Sequence, residues 1–193
     1  MEIFAAKIEN IIKQISPDDY IEDKEFKSVS RKNQYCAGRF LTKFVAENIY
    51  NLANLQINIK NKKPFFLNSD LKFNIAHSED FVAVCFDNED LGFDMEYMRE
   101  RDFEKLMARY KIPVKDHKTI FYRFWCEYEA KLKLQAQHKS LKTFKIFNDY
   151  MAALAFSNER NIERELKVFK LNSSMEFDEI LPDCFYEPLN VPV

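Results

Sequence analysis

The sequence predicts an α+β fold built from two similar halves. Two long stretches carry apolar residues at helical spacing, each followed by short apolar runs of strand character. The strands that close the two stretches also match in residue type.

Residues 3–15 are apolar, with helix-like or short-strand character, and end at Ser16-Pro17-Asp18-Asp19. From residue 32 to 55, Tyr35, Phe40, Leu41, Phe44, Val45, Ile49 and Leu52 recur at helical spacing and predict the first long helix. Residues 61–71, with Lys62-Lys63-Pro64 and Asn68-Ser69-Asp70, read as loop. Strands follow at 73–75, 81–86 and 91–97. The first two are joined by a turn at His77-Ser78-Glu79-Asp80, and the third is entered through Asp87-Asn88-Glu89-Asp90. Residues 101–111 read as helix, Pro113 breaks the pattern, and the second long helix covers 118–137. Strands at 148–157 and 165–172 precede a proline-containing tail. Asp80-Phe81-Val82-Ala83 and Asp149-Tyr150-Met151-Ala152 each follow a long amphipathic helix. This match is either a chance likeness of two buried strands or the mark of halves at 1–88 and 89–193, with any ligand site in their seam, where clefts tend to form.

Composition excludes several classes. With 193 residues, 47% of them hydrophobic, the chain can bury a core. A formal net charge of −2 provides no overall basic field for nucleic acid. The longest apolar run, 150–156, falls far short of the roughly 20 residues of a membrane span. Glu2, Lys7 and Glu9 interrupt the apolar N-terminus, unlike a secretory signal. Cys36, Cys85, Cys126 and Cys184 lie far apart with no CxxC pair. They read as buried, reduced thiols of a cytoplasmic protein rather than disulfides or a zinc site.

Only two glycines occur, Gly38 and Gly92, where average usage predicts about 13. Such scarcity predicts that each stands where a Cβ does not fit. It also leaves no Gly-rich phosphate loop, so any phosphate must be held by side chains and metal.

Three groups can carry chemistry. In Gly92-Phe93-Asp94-Met95-Glu96-Tyr97, strand alternation puts Asp94 and Glu96 on one face, able to share a divalent cation; a solvated acidic face reads equally well. In Trp125-Cys126-Glu127-Tyr128-Glu129-Ala130-Lys131-Leu132-Lys133, helical spacing aligns Trp125, Glu129 and Lys133. That stripe is either a surface ion pair or a third carboxylate with an ammonium for a phosphate oxygen. Magnesium suits such a set of oxygens together with a diphosphate. The third group, Asn74-Ile75-Ala76-His77-Ser78, places one histidine where it is either a hydrogen-bonded turn residue or a phosphate partner. His117 and His138 need no function. Lys24, Lys27, Arg31, Lys32, Arg39, Lys60, Lys62 and Lys63 form a basic set, mostly solvated, of which a part could bind an anion.

These pieces occur in order in one family. The chain resembles the 4′-phosphopantetheinyl transferases of the larger, surfactin-synthetase-activating type, whose pattern runs GKP, N-[IV]-S-H-S, G-[IV]-D-[IV]-E and W-x-x-K-E-A-x-x-K. Lys62-Lys63-Pro64, Asn74-Ile75-Ala76-His77-Ser78, Gly92-Phe93-Asp94-Met95-Glu96 and Trp125 to Lys133 carry the resemblance, with Ala37-Gly38-Arg39-Phe40-Leu41 similar to the family's first helix. It spans about residues 30–156.

The resemblance implies a pseudo-dimer of two α+β halves with coenzyme A in the cleft, the N-terminal half binding it. It puts Asp94, Glu96 and Glu129 at the ligand positions for Mg2+, with Mn2+ as an alternative. Lys133 takes the diphosphate position, His77 (with Ala76 beside it) the 3′-phosphate position, and Lys62, Lys63 and Pro64 the adenine-nucleotide loop. Lys24, Lys27 or Arg31 would supply further N-terminal contacts. The implied activity is that of a holo-acyl-carrier-protein synthase: transfer of phosphopantetheine from coenzyme A to a serine of an acyl or peptidyl carrier protein, with Glu129 or a metal-bound water as base. The implied protein is a cytoplasmic monomer with no nucleic-acid or membrane partner, serving fatty-acid, polyketide or peptide synthesis. Three positions depart from the pattern: Lys62 replaces glycine, Ala76 a serine and Tyr128 a lysine. The last removes a cation, leaving Lys131, Lys133 or Arg123 to supply it. A phosphohydrolase using the same carboxylates, or a relative that binds coenzyme A or carrier protein without transfer, are the alternatives.

Overall fold

The computed structural model describes residues 1–21, 25–110 and 117–189. Their contacts divide the chain into two units, Met1–Asp90 with Leu166–Ile180, and Leu91–Glu165 with Leu181–Val193. The first contributes β1 (Glu2–Lys7), α1 (Ile8–Ile12), α2 (Val29–Asn48), β2 (Ile57–Lys60), β3 (Lys63–Phe66), β4 (Lys72–Ser78) and β5 (Phe81–Asp87). The second contributes β6 (Leu91–Tyr97), α3 (Phe103–Tyr110), α4 (His117–Leu134), β7 (Ser140–Ile146), β8 (Tyr150–Phe156) and α5 (Ile162–Glu165). The chain then returns to the first unit with β9 (Lys167–Leu171) and β10 (Phe177–Ile180), and ends in the second with β11 (Cys184–Tyr186).

The first unit holds a sheet of order β10-β9-β1-β5-β4 and a separate β2–β3 hairpin. Ser28 caps α2 by accepting the Arg31 amide at 3.2 Å, satisfying one donor of the helix's open first turn. Ala37, Leu41 and Val45 then recur every four residues and bury that face of α2 against Phe4, Val82, Val84 and Phe86. A Cβ on Gly38 would stand 3.1 Å from Ile75 Cγ2, a tight contact but one with a side chain that can turn.

The second unit holds a sheet of order β11-β7-β8-β6, with α4 packed on β6 and β8. Each unit repeats one connectivity: strand, two helices, then a hairpin whose last strand pairs antiparallel with both the first strand and its own mate. In the first this is β1-α1-α2-β4-β5, in the second β6-α3-α4-β7-β8. The matched segments at 81–83 and 150–152 open β5 and β8, the corresponding interior strands, which are buried along their whole length.

Several elements differ from the sequence expectation. Residues 3–15 split into strand and helix at Lys7, because β1 is an interior strand with partners on both edges. The 61–71 segment is not all loop: Asn61 (φ 50°) and Lys62 (φ 67°) make a two-residue turn, and β3 pairs back on β2. His77 and Ser78 belong to β4 rather than to a turn, since pairing with β5 continues to Ser78 opposite Phe81 and only Glu79 and Asp80 bridge the strands. The second long helix ends at Leu134, where Gln135 takes a left-handed φ of 59°. Strand β7 escaped notice because Lys142 and Lys145 interrupt its apolar residues. The 165–172 segment, expected in the C-terminal half, pairs parallel with β1 in the first unit. Lys24 and the Pro113 break lie outside the described residues.

All four cysteines are free, three buried and Cys184 half-buried. Among the described residues, no helix is long and apolar enough to cross a membrane.

Candidate active site

The site in the second unit begins with a missing side chain. A Cβ on Gly92 would lie 1.8 Å from the Ala130 carbonyl oxygen and 2.6 Å from the Leu134 amide nitrogen, both backbone atoms of α4. Gly92 therefore lets the helix lie directly on β6. The strand positions opposite it and Asp94 on β8 are Ala155 and Ala153, small residues that complete the shallow bed. Because side chains alternate along β6, Gly92, Asp94 and Glu96 share the face under α4, while Phe93 and Met95 bury on the other.

This docking brings Asp94, Glu129 and Lys133 together. Lys133 Nζ donates to Asp94 Oδ1 at 2.7 Å and to the Phe93 carbonyl oxygen at 3.1 Å. The Asp94 side chain is 9% exposed and that of Lys133 is 28% exposed. Burial raises the Glu129 pKa above the usual carboxylate range, and the Asp94 charge pushes it the same way against Lys133. Glu96, half-buried at the end of the strand, acts with Asp94 on the buried Cys126 thiol, whose pKa is raised first by burial and then by these two charges.

Asp94 Oδ2 is buried and has no hydrogen-bond partner among the described residues. A buried acceptor left open costs about 1–3 kcal/mol unless something completes it. The neighbouring donors are carboxylate oxygens, the set preferred by magnesium and manganese. On both counts these residues fit a divalent cation. As the side chains lie, no three His, Cys, Asp or Glu groups are gathered as a metal cage among the described residues; the Lys133 ammonium stands on Asp94.

The remaining predicted residues lie in the first unit. Lys62 occupies the turn between β2 and β3, Lys63 and Pro64 open β3, and Pro64 pairs with Ile59. The Lys63 ammonium lies 3.6 Å from Asp90, and its pKa is lowered by burial against the pull of that carboxylate. On β4, Ala76 is buried opposite Ala83, and the half-buried His77 stands opposite Val82. Adjacent strand residues face opposite ways, so these two side chains cannot serve one ligand from the same face. Of the basic set, Lys32 pairs with Asp18 at 2.8 Å and Arg31 donates to Gln34. Arg39 lies over the Tyr35 ring and leaves Nη1 buried without a hydrogen-bond partner among the described residues. It faces a cavity of about 170 Å³ that Lys43 and Tyr20 also line.

Glu127 is a buried residue that sequence reasoning passed over. At 2% exposure it accepts from Thr143 Oγ1 at 2.7 Å and from the Leu189 amide. Burial raises its pKa, while these hydrogen bonds oppose the shift. With Arg123, which donates to the Glu187 carbonyl oxygen and covers the Tyr186 ring, it fastens the C-terminal segment to α4. Its only sequence signal was a carboxylate beside apolar helix positions. Tyr128 stacks on Phe124, with centroids 6.2 Å apart, and lies tilted against Trp125 at 6.0 Å.

The arrangement can present a carboxylate base, a second carboxylate with an open oxygen and a cation, all within one turn of helix and one strand. No family model matches the sequence. A Haemophilus influenzae protein named provisionally as a 4′-phosphopantetheinyl transferase is 36% identical, over 46% of this chain and 46% of its own length. A Nostoc protein, 4′-phosphopantetheinyl transferase HetI, is 25% identical over 66% of this chain and 62% of its own. The chain thus spans from about half to somewhat under two thirds of the curated relatives it matches.

Proposed function

We propose that the chain transfers the 4′-phosphopantetheine group of coenzyme A to a serine of an apo acyl or peptidyl carrier protein, giving holo carrier protein and 3′,5′-ADP. The observation that carries this reading is Asp94 under α4, its Oδ2 open and buried beside Glu129 and Lys133. The names of both relatives support it.

Asp94, Glu96 and Glu129 would hold a magnesium or manganese ion, which when bound supplies positive charge to a diphosphate. Glu129 is the proposed general base. It takes the proton of the carrier serine as the serine oxygen attacks the phosphorus next to the pantetheine, and the bond to the 5′-phosphate of 3′,5′-ADP breaks. Lys133 stabilises the phosphoryl oxygens through charge-assisted hydrogen bonds. In the first unit, His77, with the backbone at Ala76, takes the 3′-phosphate, and Lys62, Lys63 and Pro64 take the adenine nucleotide. The proposal includes a monomer acting in the cytoplasm, where four free thiols stay reduced.

The test is intact-mass analysis of apo acyl carrier protein incubated with the chain, coenzyme A and magnesium. A gain of one phosphopantetheine that EDTA blocks is the expected result; no gain on carriers from fatty-acid, polyketide and peptide synthesis refutes transfer. A second reading rests on Tyr128, whose stacked ring stands where the family has a cation. It is a chain that binds coenzyme A or carrier protein without transfer, and binding with no product, restored to transfer by Tyr128→Lys, would identify it.

A further inference from the structure

We infer that Lys133 and the divalent cation are rivals for Asp94, so that loading the metal releases this ammonium from the strand. The inference rests on the reading of Asp94, Glu96 and Glu129 as metal carboxylates. Its starting point is a contact which that reading leaves unexplained. A lysine meant only for a diphosphate has no need of the metal carboxylate, yet Nζ donates to Asp94 Oδ1 at 2.7 Å and to the Phe93 carbonyl oxygen at 3.1 Å.

The Asp94 side chain is only 9% exposed, so its charge needs a partner close by. Of the cations on α4, Lys133 reaches it, whereas the charge of Lys131 acts on Glu127. Glu129 and Glu96, both acidic, and the Cys126 thiol also act at this seat. Among the described residues, the Lys133 ammonium is thus the cation seen in contact with Asp94. A divalent ion on the same carboxylates balances their charge more strongly and repels the ammonium at short range, in a site where water screens little. Lys133 stands on the last turn of α4 with its side chain 28% exposed, and a long flexible stem lets the head leave for solvent or for an incoming anion. Metal and diphosphate would then bind in sequence. The metal frees Lys133 from Asp94, and the freed ammonium meets the anion.

The experiment measures Mn2+ alone, with neither coenzyme A nor carrier protein, from the free Mn2+ resonance signal. Removing the rival in Lys133→Met is expected to tighten Mn2+ binding by about tenfold or more. Lys131→Met, which removes a charge that does not touch Asp94, is expected to change it by less than about twofold. Should Lys133→Met prove unfolded by the circular dichroism of Trp125 but refold when Mn2+ is added, the rivalry is supported. Lys133→Gln, neutral yet still able to donate, provides a second folded variant for the binding measurement. Mn2+ binding unchanged or weakened in both Lys133 variants, with the wild type binding normally, overturns the inference and leaves the metal site standing. No Mn2+ binding by the wild type or by either Lys133 variant overturns both.

Discussion

The close approach of α4 to β6 makes Gly92→Ala the most informative single change. The added Cβ would meet the Ala130 carbonyl oxygen at 1.8 Å and the Leu134 amide nitrogen at 2.6 Å. A carbon and a carbonyl oxygen rest no closer than about 3.2 Å, so the helix must retreat by roughly 1.5 Å at this turn. Neither obstacle is a side chain that can rotate away. Overpacking of this kind costs about 1–3 kcal/mol, and backbone obstacles put Gly92→Ala at the upper end. For a chain of this size, about 3 kcal/mol corresponds to a melting temperature roughly 6–12 °C lower. The same retreat draws Lys133 and Glu129 away from Asp94, so transfer should fall further than stability. Calorimetry and the carrier-protein assay, run well below the new melting temperature, separate the two effects. Gly38→Ala is the control, since its obstacle is the turnable Ile75 side chain at 3.1 Å, and helix propensity favours alanine by about 1 kcal/mol. It should shift stability by less than about 1 kcal/mol. A Gly92→Ala protein that melts within about 1 °C of wild type and transfers at a normal rate would refute the reasoning.

Other changes test the site and its supports. Asp94→Asn removes the charge that Lys133 and the proposed metal share, and should lower carrier-protein turnover at least about hundredfold, measured by intact mass. Glu127→Ala leaves the Thr143 hydroxyl and the Leu189 amide unanswered and should cost about 2 kcal/mol by denaturant unfolding, whereas Glu127→Gln, which still accepts, should cost little. The folded-state pKa values of Glu127 and Glu129 are raised, so the folded chain holds protons that the unfolded chain releases. These two groups therefore favour folding least above their folded pKa values. Their contribution improves as pH falls toward the ordinary carboxylate value, and a Glu127→Gln variant should lose part of that pH dependence in denaturant titrations from neutral to mildly acid pH. Lys62→Gly relieves a left-handed backbone at φ 67° and should raise stability by about 0.5–1 kcal/mol, read from the denaturation midpoint.

Much of the local arrangement of the candidate site was legible in the linear sequence, since local periodicity governs which side chains share a face. The two-residue period put Asp94 and Glu96 together, and the 3.6-residue period aligned Trp125, Glu129 and Lys133. Of the two glycines in 193 residues, Gly92 marked the point where helix and strand touch, while Gly38 faces the Ile75 side chain, which can turn aside, so the expectation held at one of the two. The internal match of 80–83 with 149–152 pointed to a repeated connectivity, although each segment is only one strand long. What stayed hidden depends on partners distant in sequence. That β9 pairs with β1 rather than with its neighbours, that Glu127 answers an amide 62 residues away, and that Lys133 stands on Asp94 from 39 residues off are outcomes of packing. No local period encodes them, because each is decided by which surfaces remain to be buried, and which charges remain to be balanced, once the strands and helices have docked.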